Sequence, residues 1–275
     1  MITNFSPNQP IGIFDSGIGG LTVAKAITQL IPYEKIIYFG DTAHMPYGEK
    51  SADAIKHYSV KIAEFLLQHR CKIIVIACNT ASAAGFKAVV KHTGLKDLVI
   101  NVIDPAVEYV QQHYAKQTIG VIGTKRTISS NVYVKKITRL VPHAKVAQLA
   151  TPLLAPMIEE GFYNNKISQT IINAYLEKSK LSKIDALILG CTHYPLIKNQ
   201  IEKFYGKRVE VIDSSVVVAK KVKQVLAKYN LLQTKPVKQL KHQFFVSDYT
   251  TGFEETTNLF FGKKLKLKQQ NIWGV

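Results

Sequence analysis

The feature that most constrains the fold is a correspondence between two halves of the chain. Ile11-Gly12-Ile13 answers Ile119-Gly120-Val121, Cys78-Asn79-Thr80 answers Cys191-Thr192-His193, and Val102-Ile103-Asp104 answers Val211-Ile212-Asp213. The pairs keep one order at an offset of about 110 residues, a longer period than solenoid repeats show. The repeating unit is recognisable. Ile11 to Phe14 is a short apolar run ending at Asp15; the turn Gly17-Ile18-Gly19-Gly20 follows, and Leu21 to Ile31 has helical spacing up to Pro32. Strand, turn and helix in that order mark an α/β chain.

The remaining segments fit this reading. Lys35 to Phe39 reads as a strand, Gly40 to Lys50 as a loop, and Ser51 as the cap of a helix whose Ile55, Tyr58, Ile62 and Phe65 share one face. Ile73 to Ala77 is continuously apolar, as a parallel strand covered on both sides must be. Cys78 ends it, with Asn79 or Thr80 expected to cap the next helix. In the second half Thr118 to Ile122 is a strand, Gly123-Thr124 a turn, and Ser129 or Ser130 the expected start of a helix. Ala186 to Leu189 is a strand with Gly190-Cys191-Thr192-His193 as its C-terminal turn, and Pro195 suits the first turn of a helix towards Phe204. The fold expected is α/β: two pseudo-symmetric three-layer lobes with mainly parallel sheets and an active site in the cleft between them. Residues 1–103 are assigned to the first lobe and 104–213 to the second. Residues 214–275, beginning with a helix from Ser215 to Tyr229, are expected to return to the first.

Totals narrow the class. At 275 residues, two lobes of ordinary size are expected rather than one core, and 47% hydrophobic with 20% charged residues is a globular composition. No stretch approaches the roughly 18 uncharged apolar residues of a membrane span. Met1 to Pro10 lacks the basic and apolar segments of a secretory signal, so a cytoplasmic location is expected. Three cysteines without a CxxC pair are neither a disulfide framework nor a zinc knuckle. The net charge of +17 is spread along the chain, and its densest groups, Lys220-Lys221-Lys223 and Lys263-Lys264-Lys266-Lys268, have no interleaved aromatics. That favours a solvated basic surface over a nucleic-acid partner.

Ligands of open α/β sheets bind outside the carboxyl ends of the strands, where Cys78 and Cys191 are both expected, each at a helix start. A helix N-terminus favours the thiolate over the thiol, whose ordinary pKa is about 8.5. Facing lobes would set one cysteine on either side of a shared cleft. Inverting a stereocentre by proton transfer needs a base on one face and an acid on the other, with roles exchanged for the mirror image. Two equivalent cysteines meet that need. Cys71, just before the third strand, reads as a buried small hydrophobe. Cys191 and His193 have CxH spacing but lack a convincing set of further ligands, so no metal is expected. The glycine-rich turn is not a dinucleotide fingerprint, because Thr22 stands where GxGxxG needs glycine. It is expected to bring backbone N–H groups to a substrate carboxylate, with Asp15 and Ser16 at the cleft mouth and a strand-end cap as the alternative for Asp15.

Ile13-Phe14-Asp15-Ser16-Gly17-Ile18-Gly19-Gly20-Leu21-Thr22, Pro46-Tyr47-Gly48, Ala77-Cys78-Asn79-Thr80-Ala81-Ser82 and Gly190-Cys191-Thr192-His193-Tyr194-Pro195-Leu196 together closely resemble bacterial glutamate racemase, of the aspartate/glutamate racemase superfamily. The similarity runs from about Gly12 to beyond Asp213, with weaker support in Tyr249-Thr250-Thr251-Gly252. It implies a cofactor-independent homodimer that supplies D-glutamate for peptidoglycan. It implies Cys78 and Cys191 as the catalytic acid/bases, with Asp15 and His193 tuning the thiols. Asp15, Ser16, Tyr47, Gly48, Asn79, Thr80, Thr192 and His193 match the family's substrate-contacting positions, and Ser16, Asn79, Thr80 and Thr192 are the donors expected to hold the α-carboxylate. Glu159 and Glu160 both stand open as the residue that reaches the ammonium. His44 departs from the pattern, standing where the family often has arginine, and no long N-terminal extension suggests an effector site. The rival readings are a racemase of aspartate or another acid, and a basic nucleic-acid-binding protein on this fold.

Overall fold

In the computed structural model, which describes residues 5–274, the chain begins with β1 (Ile11–Asp15), α1 (Leu21–Leu30), β2 (Ile36–Gly40), α2 (Ala52–Gln68), β3 (Ile73–Ile76), α3 (Asn79–Thr93), β4 (Val99–Asn101) and α4 (Ile103–His113). Residues 1–4 of the polar N-terminal stretch and Val275 lie outside the described residues. The second half comprises β5 (Thr118–Gly123), α5 (Lys125–Ser129), α6 (Val132–Leu140), β6 (Lys145–Ala150), α7 (Leu154–Glu159), α8 (Lys166–Leu176), β7 (Ala186–Gly190), α9 (Lys198–Tyr205) and β8 (Glu210–Ile212). Then come α10 (Ser214–Lys228), β9 (Gln243–Val246), α11 (Thr251–Phe261) and β10 (Leu267–Gln269).

The strands form a six-stranded sheet in the order β10-β9-β2-β1-β3-β4 and a four-stranded sheet in the order β6-β5-β7-β8. Every pairing is parallel. Parallel strands must be covered on both faces, and β1, β2, β3 and β7 are buried at every residue. The consequence for function is directional. β1 and β3 are neighbours in one sheet and β5 and β7 in the other, so their carboxyl ends open on one side of each lobe. After β8 the chain leaves the second sheet: α10 packs on α1 and α4, and β9 pairs with β2.

Two local expectations are corrected. The cap of α3 is Cys78 itself, whose Sγ accepts from the Ala81 N–H at 3.4 Å, so neither Asn79 nor Thr80 is spent on capping. Ser129 ends a helix instead of starting one. Thr124 caps α5 by accepting from the Thr127 N–H, and Asn131, at φ 55°, separates α5 from α6. Asparagine tolerates that left-handed conformation better than most residues. Pro195 stands, as expected, in the first turn of the helical run towards Phe204; that turn, Tyr194–Ile197, is 3₁₀, and the α-helix proper begins at Lys198.

One buried ion pair closes the bottom of the first lobe. Lys72 and Glu34 side chains are both 0% exposed, with Nζ donating to Glu34 Oε2 at 2.6 Å. Nζ also donates to the carbonyls of Pro7 at 2.6 Å and Leu231 at 2.8 Å, while Glu34 Oε1 accepts from the Gln233 N–H at 2.8 Å. The N-terminal segment, the approach to β3 and the segment after α10 are thereby tied at one point. Removing one partner leaves an uncompensated buried charge. Lys72→Met is therefore expected to lower unfolding stability by about 3–5 kcal/mol, measured by urea titration. A loss within error of zero would contradict the clasp.

Candidate active site

Thr22 Oγ1 donates to the Thr192 carbonyl at 2.9 Å, Tyr133 OH to Asn79 Oδ1 at 2.7 Å, and Thr80 Oγ1 lies 3.0 Å from Thr124 Oγ1. Each of these bonds joins the first lobe to the second. The lobes also approach closely at Gly19, where a Cβ would lie 2.4 Å from His193 Cε1 and 2.7 Å from Thr192 Oγ1. Only glycine leaves room there.

Between the lobes is a cavity of about 130 Å³, comparable with the ~150 Å³ that accommodates a benzene-sized ligand. It suits a small molecule. Ser16, Tyr47, Gly48, Cys78, Asn79, Thr80, Cys191, Thr192 and His193 line it, so most of the candidate residues meet at one place. Neither lysine nor arginine is among its lining residues, so an anion there would be held by N–H and O–H donors.

Asp15 is the exception. It is 0% exposed and lies behind the wall, its Oδ2 accepting from the N–H of Gly17 at 3.2 Å and of Gly20 at 3.0 Å. Two of the turn's amides, those of Gly17 and Gly20, are turned to the chain's own Asp15, which caps the strand end and does not line the cavity. Tyr47 lines the cavity, but its hydroxyl is turned to Asp41 Oδ2 at 2.7 Å. His44 Nδ1 also meets Asp41, at 2.9 Å, and its ring stacks on Tyr58 with the Trp273 edge beside it.

The two cysteines have different surroundings. Cys78 Sγ donates to Ser16 Oγ at 3.6 Å. Burial, followed by the charge of Asp15, pushes the thiol up to about 12, against the Ala81 N–H and Ser16 contacts that lower it. The expectation that the helix start favours a thiolate at Cys78 is thus overturned by desolvation and a nearby carboxylate. On the other wall His193 Nδ1 lies 3.6 Å from Cys191 Sγ, and Nε2 lies 2.8 Å from Glu159 Oε1. Burial works against a charged imidazole, but the electrostatic attraction and hydrogen bonds from Cys191 and Glu159 outweigh it and raise His193 to about 10. An imidazolium donating to both neighbours satisfies this geometry.

Of the two acids left open, Glu159 lines the cavity and Glu160 does not. Residues not foreseen are Met45, Pro46, Ala155, Pro156 and Thr124. Thr124 had a signal: carrying the register of Ile11 and Ile119 onward sets it opposite Ser16. Cys71 is buried in the core, apart from this cavity. Among the described residues no group of three or more His, Cys, Asp or Glu side chains is arranged to hold a metal, and no helix is long and apolar enough to cross a membrane.

Alkylation of Cys78 with iodoacetamide, followed by peptide mass spectrometry, is expected to have its pH midpoint well above the ordinary thiol value of about 8.5. Asp15→Asn removes a negative neighbour and is expected to move that midpoint down. An ordinary midpoint unmoved by the substitution would contradict this account of the thiol.

A family model described as Asp/Glu/Hydantoin racemase matches residues 19–222. Glutamate racemase of Geobacter metallireducens is 41% identical over 259 residues, covering 94% of this chain and 95% of its own length. That of Chlorobaculum tepidum is 43% identical over 260 residues, with 94% and 95% covered. The crystal structure of glutamate racemase from Francisella tularensis in complex with D-glutamate superposes with a TM-score of 0.89 at 38% identity, covering 97% of this chain and 99% of that one. Picrophilus torridus aspartate racemase, at 20% identity and a TM-score of 0.57 over 92% of this chain and 99% of its own, shares the fold.

Proposed function

The chain belongs to the Asp/Glu/hydantoin racemase family, and from that premise we propose that it is a glutamate racemase working by two-base proton transfer between Cys78 and Cys191. The observation that carries the mechanism is the presence of both thiols on one small cavity, one at the carboxyl end of β3 and one at that of β7. The substrate follows from relatives that cover nearly the whole chain and are named for glutamate.

One sulfur removes the α-proton and the other delivers a proton to the opposite face; the mirror-image substrate exchanges the roles. A substrate ammonium close to Cys78 opposes the effect of Asp15 and favours the thiolate when ligand is present. His193, held by Glu159, keeps a proton beside Cys191. The remaining Glu159 oxygen is the candidate partner of the ammonium. Ser16, Asn79, Thr80 and Thr192 hold the α-carboxylate as charge builds on it, and Thr124 joins them from the second lobe. Tyr47 and Gly48 close the wall, and exclusion of water strengthens each contact. Asp15 acts from behind, on the Cys78 thiol and the Gly17–Gly20 turn.

The same reading assigns residues 1–103 to the first lobe, 104–213 to the second and 214–275 to the first again. It sets the protein in the cytoplasm as a homodimer, making D-glutamate for peptidoglycan.

A circular-dichroism time course with either enantiomer of glutamate and no added cofactor tests the reading. Both signals are expected to decay to zero, with aspartate turned over far more slowly. Faster turnover of aspartate, or none of glutamate, would overturn the substrate. Cys78→Ala and Cys191→Ala are each expected to lose at least about a thousandfold of turnover in both directions. Near-normal turnover by either variant would overturn the two-base mechanism.

A further inference from the structure

Asn79 is the first residue of α3, is 3% exposed and lines the cavity from the first lobe. Its Oδ1 accepts at 2.7 Å from the hydroxyl of Tyr133, a residue of α6 in the second lobe that is 1% exposed. A carboxamide carries its acceptor and its donors at opposite ends, so fixing one end aims the other. With Oδ1 occupied, the Asn79 Nδ2 donors have no protein acceptor among the described residues, and Nδ2 is not among their sealed, unpartnered polar atoms. They are left for a ligand. The reversed amide would aim its oxygen at that ligand and would repel a carboxylate.

We propose that Tyr133 is a positioning residue for racemisation: its hydroxyl holds the Asn79 amide so that Nδ2 donates to a carboxylate of the bound amino acid. This rests on the glutamate racemase reading and extends it to a residue outside the cavity wall. The hydroxyl comes from the opposite lobe, so the donor is aimed only where the lobes meet. As core filling alone, Tyr133 would be served equally well by phenylalanine, which keeps the ring and loses only the hydroxyl. That separates positioning from packing.

The test is a double-mutant cycle on kcat/KM for both enantiomers, comparing wild type, Tyr133→Phe, Asn79→Ala and the double variant, each checked for a cooperative thermal melt. Tyr133→Phe is expected to lower kcat/KM roughly tenfold. In the Asn79→Ala background it is expected to change kcat/KM little further, because the group it aims is gone. Tyr133→Phe kinetics equal to wild type would overturn the proposal. So would an equal loss in both backgrounds, which is the signature of a packing effect independent of Asn79. The wild-type protein in the same assay separates the two levels. No turnover of glutamate overturns the function and the positioning role with it, whereas normal wild-type turnover with an unaffected Tyr133→Phe overturns the positioning role alone.

Discussion

The site depends on polar groups of one lobe finding partners in the other. Thr22 reaches the Thr192 carbonyl, Tyr133 reaches Asn79, and Thr80 meets Thr124 and Thr127, all at buried or half-buried positions. A buried polar group without a partner costs about 1–3 kcal/mol, so the lobes are held in the arrangement that satisfies these groups. The glycine-rich turn fits the same constraint. Gly19 leaves room for His193 and Thr192, and the N–H groups of Gly17 and Gly20 are satisfied by Asp15. The seam defines the cavity.

Equivalent positions in the two halves have acquired unequal environments. Cys78 lies near Asp15 in a buried setting that favours the neutral thiol. Cys191 lies beside a His193 whose proton is retained up to about 10. In the proposed two-base mechanism one sulfur must carry a proton while the other accepts one, and these unequal surroundings bear on which sulfur does so for each enantiomer. Cysteine suits the task because its ordinary pKa is close enough to neutrality for a single carboxylate or imidazole to shift the balance.

Much of this is legible in the sequence, for physical reasons that also set its limits. Continuous apolar runs such as Ile73–Ile76 report strands covered on both faces, and the repeat reports that the turns after β3 and β7 are counterparts. What depends on distances between segments is not legible. The pairing of Lys72 with Glu34, the burial of Asp15 behind its own turn and the approach of Tyr133 to Asn79 all join residues far apart in the chain or folded back on themselves. The direction of the Cys78 shift is the instructive failure. A helix start is visible in sequence, but the desolvation and the nearby carboxylate that outweigh it are not.

The central claim is that two sulfurs serve opposite faces of one carbon. It is tested most directly by following racemisation of L-glutamate in D₂O at early times and recovering each enantiomer by chiral chromatography and mass spectrometry. The account predicts D-glutamate carrying deuterium at the α-carbon while the remaining L-glutamate keeps its proton, because the group that removes the proton does not return a solvent-derived one before the opposite group delivers its own. Deuterium entering the recovered L-glutamate as fast as D-glutamate appears would show a single exchanging base and contradict it.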